Sequence, residues 1–292
     1  MSPTLLATPA ALRAWRTALS PGATVGFVPT MGSLHAGHAA LVRRAAAECD
    51  VAIASIFVNP AQFDRADDLA RYPRDLAGDL ALLAATGCGA VFAPEAADVY
   101  RPGHQTWVVP GDIAAPLEGA SRPGHFRGVA TVVLKLFHLV APTRAYFGQK
   151  DAQQLAVIRA MVRDLDVPVE VVGCDTVREP DGLAMSSRNR RLAPDERAAA
   201  PVLYRALDAA RRRHAAGECD ADALRATMRD VVAAEPRATL DYASIADPDA
   251  LAELDRVDGA ALASLAAFVG PVRLIDNLVL APEPAPAATP EG

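Results

Sequence analysis

The chain has 292 residues, of which 51% are hydrophobic, and a formal net charge of −6. This length and composition allow one large domain or two moderate ones with a real core, and they exclude a disordered chain as the default. The acidic balance disfavours a general nucleic-acid-binding protein, which usually has a basic surface, although a local basic pocket for an anionic ligand is compatible with it.

Nothing in the sequence indicates export or membrane insertion. The N-terminal residues lack a basic segment followed by an apolar run, so no secretory signal is predicted. The longest apolar stretch, Val129 to Leu139, is too short to span a membrane and contains Lys135. The four cysteines are scattered without a Cys-x-x-Cys motif, as is typical of thiols in a reducing compartment. We therefore expect a cytoplasmic protein with no membrane partner.

In the first half of the chain, short apolar segments alternate with segments of helical periodicity. The predicted strands are Val25–Val28, Val51–Val58, Ala90–Phe92, Arg144–Phe147 and Val169–Gly173. The predicted helices are Ala39–Cys49, Asp75–Thr86, Val129–Leu139 and Ala152–Leu165. Strands that alternate with helices indicate a parallel sheet covered on both faces, with ligands bound at the carboxyl ends of the strands.

From about Thr176 onward the pattern changes to that of a smaller α+β unit. A long helix over Pro194–Ala215 and a second over Ala221–Ala234 precede two predicted strands, Thr239–Ile245 and Val272–Ile275. We therefore predict a first domain over 1–176, a second over 177–281, and a Pro- and Ala-rich disordered tail over 282–292. No P-loop and no Gly-x-Gly-x-x-Gly motif is present, which counts against the enzyme classes that use them.

Two histidines, His35 and His38, lie where the first predicted strand passes into a helix. The N–H groups of a helix N-terminus and the positive end of its dipole suit phosphate, and residues at i and i+3 share one face. The pair therefore indicates a nucleotide-phosphate site. A metal site is the weaker interpretation because no Cys, Asp or third His stands nearby at ligand spacing, and a pair of surface histidines is the other alternative.

Two further segments carry cations at positions where phosphate oxygens could be bound. Lys150 follows the predicted strand Arg144–Phe147, and such a cation would neutralise charge on a phosphate, although a solvated surface lysine is the alternative. Ser186, Ser187 and Arg188 follow an Asp-Gly turn near the domain junction. Hydroxyls and a guanidinium are typical of oligophosphate binding, and a helix start with an exposed arginine is the alternative.

Neutral amides accompany these cations near two of the predicted strand ends. Asn59 and Gln62 follow the strand Val51–Val58, and Gln154 lies close to Lys150. Two amides could hold a hydroxy acid without fixing a charge beside the reacting carboxylate. Glutamines alone are weak indicators of a site.

Together these segments resemble the pantoate–β-alanine ligase (pantothenate synthetase) family, in order over nearly all of residues 24–280. The segments that carry the resemblance are Pro29–His38, Ser55–Phe63, Tyr72–Arg74, Leu117–Gly119, His125–Gly128, Phe147–Gln154 and Val177–Asn189. The joint order and spacing of these blocks are far more specific than any one of them.

The resemblance implies an ATP-dependent ligase of the nucleotidyltransferase superfamily, with a Rossmann-like N-terminal domain and a smaller C-terminal lid domain that closes over the nucleotide. Pantoate would attack the α-phosphorus of ATP to give pantoyl adenylate and pyrophosphate. β-Alanine would then attack the acyl carbon and release AMP and pantothenate. The resemblance further implies Mg²⁺ with the ATP, and a homodimer.

The resemblance also assigns roles to individual residues. His38 stands at the family's catalytic histidine, and we expect His35, Lys150 and Arg188 to stabilise charge with it. The implied ATP-binding residues are Met31, Gly32, Ser33, Leu34, His35, Ala36, Gly37, His38, Gly148, Gln149, Lys150, Asp151, Val177, Met185, Ser186, Ser187 and Arg188. The implied pantoate and β-alanine residues are Gln62, Gln154, Asn59 and Tyr72. The resemblance makes Asp79 the candidate magnesium-side carboxylate, and Gly78 precedes it where members often carry an acidic residue.

Two rival functions are compatible with parts of this pattern. A nucleotidyltransferase that stops at the adenylated product would share the histidine pair and the Ser186–Arg188 segment, but gives no reason for Gln62 and Gln154 as paired amides. A non-catalytic nucleotide sensor would have little need to keep both histidines and both cations. Formation of AMP that depends on β-alanine separates the ligase from both.

Overall fold

The computed structural model describes residues 2–63 and 69–281, and the predicted tail lies outside this range. The chain divides into two compact units. The first unit runs to Arg178 and also includes Met185–Ser187, and the second consists of Glu179–Ala184 and the chain from Arg188 onward. The segment between residues 179 and 188 thus passes from one unit to the other more than once.

The first unit contains a six-stranded parallel sheet, which confirms the predicted fold class. In the order β1-β4-β3-β2-β5-β6, the sheet is Rossmann-like with one additional edge strand. The strands are β1 (Thr4–Leu6), β2 (Val25–Thr30), β3 (Val51–Ile56), β4 (Cys88–Phe92), β5 (Arg144–Gly148) and β6 (Glu170–Cys174).

Helices cover both faces of this sheet. Those the structure describes are α1 (Pro9–Thr17), α2 (Ala36–Glu48), α3 (Leu76–Ala84), α4 (Ala96–Val99), α5 (Glu118–Ser121), α6 (His125–Val140) and α7 (Ala152–Asp164). Apolar residues of α1, α6 and α7 form the core on one face, and those of α2 and α3 form the core on the other. Both faces of the sheet are therefore shielded from water, which is why the central strands are apolar throughout.

The order of the strands determines where a ligand can bind. From β2 the chain continues to β3 on one side of the sheet, while β5 lies on the other side of β2. Such a reversal opens a crevice at the carboxyl ends of the two strands that flank it. The segments that leave β2 at Thr30 and β5 at Gly148 therefore meet at one edge.

The second unit packs helices on an antiparallel three-stranded sheet. Its elements are α8 (Pro194–Ala199), α9 (Val202–Ala215), α10 (Ala221–Ala233), β7 (Ala238–Ala246), β8 (Ala261–Val269) and β9 (Val272–Leu280). The prediction of one helix over Pro194–Ala215 is wrong, because two helices occupy this range. The helix is interrupted at Pro201, since proline lacks the N–H that a continuous helix needs. Strand β8 was not predicted, and β9 is longer than predicted.

Candidate active site

The loop after β2 is held by a buried carboxylate from α3. Gly32 and Ser33 have φ values of 81° and 53°, so the chain turns through left-handed backbone that glycine adopts freely. Asp79, only 4% exposed, accepts hydrogen bonds from the backbone N–H groups of Ser33 (2.9 Å) and Leu34 (2.7 Å). A β-carbon on Gly32 would lie 2.9 Å from Oδ2 of Asp79. The absence of a side chain at Gly32 therefore leaves room for the Asp79 carboxylate beside the loop.

The two histidines open helix α2 with their rings in contact. His35 is the N-cap residue, and its Nδ1 accepts from the backbone N–H of Gly37 at 3.2 Å. Nδ1 of His38 accepts from the backbone N–H of His35 at 3.4 Å, and the ring centroids are 4.2 Å apart. Since Nδ1 is an acceptor in both rings, the proton of each neutral imidazole lies on Nε2.

His38 is neutral at physiological pH. Burial, reinforced by the neighbouring His35 and by Lys150, lowers the pKa of His38 to about 3, against a smaller raising effect of Asp151. A neutral imidazole with its proton on Nε2 is a hydrogen-bond donor without a charge. Strands β2 and β5 are adjacent and parallel, so the loop after β5 leaves the sheet at the same edge as the loop that leads to His38.

The segment after β5 brings a cation to the same edge. Lys150 lies in the single 3₁₀ turn Gln149–Asp151, with its side chain 17% exposed and its Nζ 3.9 Å from Oδ1 of Asp151. The turn after β5 therefore carries a largely buried ammonium group together with a carboxylate. Gly148 has open space at the position of a β-carbon, so a ligand can approach the backbone there.

Gln62 lies in the single 3₁₀ turn Pro60–Gln62 that follows β3, and its side chain is 8% exposed. Its Oε1 accepts from Nδ2 of Asn59 at 2.9 Å, and its Nε2 is 3.0 Å from Sδ of Met31. Asn59 also donates to the carbonyl of Gly128 at 3.1 Å and accepts from Ala61 N–H at 3.2 Å. The amide of Gln62 therefore presents its NH₂ toward the loop after β2.

The side chain of Asn59, which was predicted to contact the substrates, is bonded to protein groups, and its contact with a substrate stays a prediction. Asn59 is 1% exposed, and its Oδ1 also accepts from the hydroxyl of Tyr100 at 2.9 Å. Two acceptor and two donor positions are thus satisfied by protein groups, which is the full capacity of a carboxamide. The carboxamide of Asn59 therefore links Tyr100 to Gln62.

Three residues that hold this turn were not given a role from the sequence. Arg122 donates to the carbonyl of Gln62 at 3.1 Å, and Nδ1 of His125 is 3.0 Å from the same oxygen. A β-carbon on Gly128 would lie 2.2 Å from the carbonyl oxygen of Ala61, so only glycine lets α6 approach the turn. The segment His125–Gly128 is one of those that resemble the family, and that was the available signal.

The remaining predicted residues are distributed over both units. Met185 N–H donates to the carbonyl of Val177 at 2.9 Å, and the Met185 Cβ is 3.9 Å from where a Gly37 β-carbon would lie, so this residue reaches the start of α2. Ser186 and Ser187 belong to the first unit, whereas Arg188 belongs to the second. The structure therefore gathers His35, His38 and Lys150, and the convergence of Arg188 with them stays a prediction.

Two other residues predicted to bind the acid or the amine lie in the first unit. Tyr72 packs edge-on against Phe63, with ring centroids 5.7 Å apart. Gln154 lies half-buried on α7. Its neighbour Gln153 is buried and bonds to the backbone of Ile113, Pro116 and Glu118, so it anchors that loop.

Within residues 2–63 and 69–281 no group of three or more His, Cys, Asp or Glu side chains is arranged to hold a metal ion. Among these residues Asp79 belongs to no such group, and each of its two oxygens accepts a backbone N–H group. No helix in the same ranges combines the length and the apolar character needed to cross a membrane.

The chain is similar to known proteins over nearly its whole length. A family profile described as pantoate-beta-alanine ligase matches residues 4–279. A protein of Roseiflexus castenholzii named pantothenate synthetase is 62% identical over 276 residues, which are 94% of this chain and 99% of that protein. A crystal structure of pantothenate synthetase from Thermus thermophilus is 50% identical with a TM-score of 0.90, covering 96% of this chain and all of that one.

A third similar structure was determined with bound ligands. It is the pantoate-beta-alanine ligase of Francisella tularensis, described as a complex with beta-gamma ATP and beta-alanine. It is 34% identical, has a TM-score of 0.78, and covers 95% of this chain and 97% of its own.

Proposed function

The chain belongs to the pantoate–β-alanine ligase family, and from this premise we propose how its residues share the work of the reaction. The protein is an ATP-dependent ligase that joins pantoate to β-alanine. A carboxylate oxygen of pantoate attacks the α-phosphorus and pyrophosphate leaves. The amine of β-alanine then attacks the acyl carbon, and AMP leaves. A relative that stops at the adenylate is the disfavoured alternative, since the family profile and the relatives described above are named as ligases or pantothenate synthetases.

We propose that the triphosphate binds between the N-terminus of α2 and the turn Gln149–Asp151. The single observation that carries this proposal is the adjacency of His35, His38 and Lys150 at the edge where β2 and β5 end. Helix N–H groups, two Nε2–H donors and an ammonium offset the repulsion between a carboxylate and a triphosphate. Residues Met31–His38, Gly148–Asp151, Val177 and Met185–Arg188 would then form the nucleotide site.

We propose that His38 stabilises the transition state as a neutral hydrogen-bond donor and not as an acid. Its Nδ1 is used as an acceptor, and its pKa of about 3 leaves it unprotonated at pH 7. Charge develops on the α-phosphoryl oxygens as the fifth bond forms, and a preorganised N–H donor acts at that moment. Pyrophosphate that leaves with Mg²⁺ needs no proton from the protein.

We propose that the acid and the amine bind on the Gln62 side of the loop after β2. The NH₂ of Gln62 points to Met31, whose thioether is a weak acceptor that a carboxylate or hydroxyl oxygen would outcompete. Gln154 would contact pantoate from α7, and Tyr72 would line the same pocket. In the second step, we propose that the adenylate phosphate takes the proton that the amine loses.

Mg²⁺ is proposed to enter as part of the MgATP substrate. A Mg²⁺ ion is commonly held by phosphates and water with one or two carboxylates, so it needs no cage built by the protein. Asp79 is the carboxylate that the resemblance assigns to it. Because Asp79 already accepts two backbone N–H groups, we propose that its first role is to hold the loop at Ser33 and Leu34.

The resemblance also supports three proposals about the whole molecule. We propose that the second unit acts as a lid that brings Arg188 to the nucleotide and excludes water from the adenylate. We propose a homodimer in the cytoplasm, which the family resemblance and the four free thiols support. Light scattering at several protein concentrations tests the dimer, and a mass of one chain at all of them would refute it.

One incubation tests the reaction itself. The protein is mixed with ATP, Mg²⁺ and pantoate, with and without β-alanine, and AMP, pyrophosphate and pantothenate are measured by mass spectrometry. We expect pantothenate and AMP in equal amounts only with β-alanine. Sustained pyrophosphate release without β-alanine, with no pantothenate when it is added, would favour the adenylyltransferase and contradict the ligase.

A further inference from the structure

The orientation of the Asn59 carboxamide is determined by the backbone. Its oxygen faces the N–H of Ala61 at 3.2 Å, and its nitrogen faces the carbonyl of Gly128 at 3.1 Å. A backbone N–H can only donate and a carbonyl can only accept. If the Asn59 amide were flipped, its NH₂ would face the N–H of Ala61 and its oxygen would face the carbonyl of Gly128, so only the observed orientation forms both bonds. The second hydrogen of Nδ2 therefore goes to Oε1 of Gln62, and the Gln62 NH₂ must point away from Asn59.

The other side of Asn59 is occupied by Tyr100. The phenol oxygen lies 2.9 Å from Oδ1 of Asn59, and since Oδ1 is an acceptor the phenol must be the donor. Burial raises the pKa of Tyr100 to about 12, so the proton needed for this bond is present at physiological pH. The three side chains consequently form a chain in which each hydrogen bond is donated in the direction of the Gln62 NH₂.

The Tyr100 ring is clamped so that its hydroxyl has little freedom to leave this bond. Trp107 stacks on it with centroids 6.0 Å apart, and His104 meets it edge-on at 5.1 Å. Lys135 Nζ is 5.8 Å from its centroid, and the Arg127 guanidinium lies 4.9 Å from the Trp107 centroid. Aromatic and cation–π contacts of this kind restrain a ring in one position.

We propose that Tyr100 is a positioning residue for the acid and amine subsites, acting through Asn59 to fix Gln62 as an N–H donor to a substrate oxygen. Bonds that all run in one direction polarise one another, so the last donor binds an anionic oxygen more strongly than an isolated amide would. The proposal rests on the proposed role of Gln62. It predicts selection for substrates that present a carboxylate or hydroxyl oxygen at this point.

The first test compares Michaelis constants in the intact enzyme. Tyr100→Phe keeps the ring contacts and removes the hydroxyl. We expect the KM values for pantoate, for β-alanine or for both to rise about fivefold, the effect of one lost hydrogen bond, with the KM for ATP unchanged within about twofold. Tyr146→Phe is the matched control, because that buried hydroxyl bonds to Glu48 and Cys49. It should leave all three KM values unchanged.

The second test asks whether Tyr100 acts through Gln62. In a Gln62→Ala background, Tyr100→Phe should change the acid and amine KM values by less than about twofold. A full and additive effect in that background, or no effect in the wild-type background, would overturn the inference about Tyr100. If Gln62→Ala alone changes neither KM, the proposed role of Gln62 is wrong, and the inference about Tyr100 is then wrong with it. The single variant thus distinguishes a failure of the Gln62 proposal from a failure of the Tyr100 inference.

A third variant tests the direction of the chain. Gln62→Glu keeps an oxygen for Asn59 Nδ2 and replaces the NH₂ with a second, negatively charged oxygen. We expect its acid or amine KM to exceed that of Gln62→Ala by about tenfold, because the new oxygen repels the substrate carboxylate. Equal or tighter substrate binding by Gln62→Glu than by Gln62→Ala would mean that Gln62 presents an acceptor, and would overturn the proposal.

Discussion

Replacing His38 by glutamine separates hydrogen-bond donation from proton donation. Glutamine places an N–H donor near the position of the imidazole Nε2 but cannot give up a proton at neutral pH, whereas alanine can do neither. If His38 works as a neutral donor, the glutamine variant keeps most of the activity in adenylate formation and the alanine variant does not. If His38 is an acid, the two variants are equally impaired.

The magnitude follows from the pKa of about 3 that burial, His35 and Lys150 impose on His38. To hold a proton there at pH 7 requires about 5 kcal/mol, at about 1.4 kcal/mol for each pH unit. A donor aimed at developing charge contributes about 3 to 4 kcal/mol, or about 10² to 10³ in rate. Loss of the donor therefore accounts for a large catalytic effect without protonation, whereas an acid would first need bound triphosphate to raise its pKa by several units.

Single-turnover formation of the adenylate, measured by rapid quench from about pH 5.5 to 8.5, tests this reasoning. We expect adenylate formation to be slower than in wild type by about 10² or more for His38→Ala and by about tenfold or less for His38→Gln. The pH–rate profile of the wild type should have the same shape as the profiles of the two variants. Near-normal turnover in His38→Ala would reject any catalytic role. An acidic limb with an apparent pKa of about 6 to 8, present only in wild type, would show that His38 is protonated in the complex and refute the neutral-donor mechanism.

The same depressed pKa predicts how stability depends on pH. Between the unfolded value of 6.5 and the folded value of about 3, the unfolded chain binds a proton that folded His38 does not, so stability falls as pH falls through this window. At pH 5 the cost to the wild type is about 2 kcal/mol relative to pH 8. The His38→Gln variant should therefore gain stability relative to wild type as pH drops from 8 to 5 in urea unfolding without ATP. An unchanged difference between the two proteins would contradict the lowered pKa.

Three further variants test the rest of the site. Lys150→Ala should slow adenylate formation by about 10² and the amine step much less, and equal losses in a rapid-quench comparison would count against its assignment to the triphosphate. Gln154→Ala should raise the KM for pantoate about tenfold and leave the KM for ATP unchanged. As a control, Gln153→Ala at the neighbouring position should lower the Tm without raising the KM for pantoate. A rise in the KM for ATP alone in Gln154→Ala would contradict the assignment of Gln154 to pantoate. Asp79→Asn should raise the KM for ATP and destabilise the fold by about 1 to 3 kcal/mol. The Mg²⁺ concentration that gives half-maximal activity should not change. A large rise in that concentration would indicate that the carboxylate binds the metal.

Much of the first unit could be predicted because its signals are local. Central strands such as Val51–Ile56 are short, apolar and buried on both faces, and a sheet of parallel strands collects its functional residues at one edge. The antiparallel strand Ala261–Val269 had no such signal. It is rich in alanine, which strands disfavour, and residues on both of its faces are buried, so it lacks the alternation that marks a half-exposed strand.

The contacts that orient the site were beyond the reach of the sequence for a different reason. Asp79 bonds to Ser33 across 46 positions of the chain, and Tyr100 bonds to Asn59 across 41. Neither pair forms a local motif, and each looks in isolation like a surface carboxylate or a core aromatic residue. Spacing therefore indicated candidate residues for phosphate binding, while only the folded arrangement shows which groups hold the loops that carry them. For this reason the position of Asn59 after a strand could not indicate that its side chain links Tyr100 to Gln62, and its contact with a substrate stays a prediction.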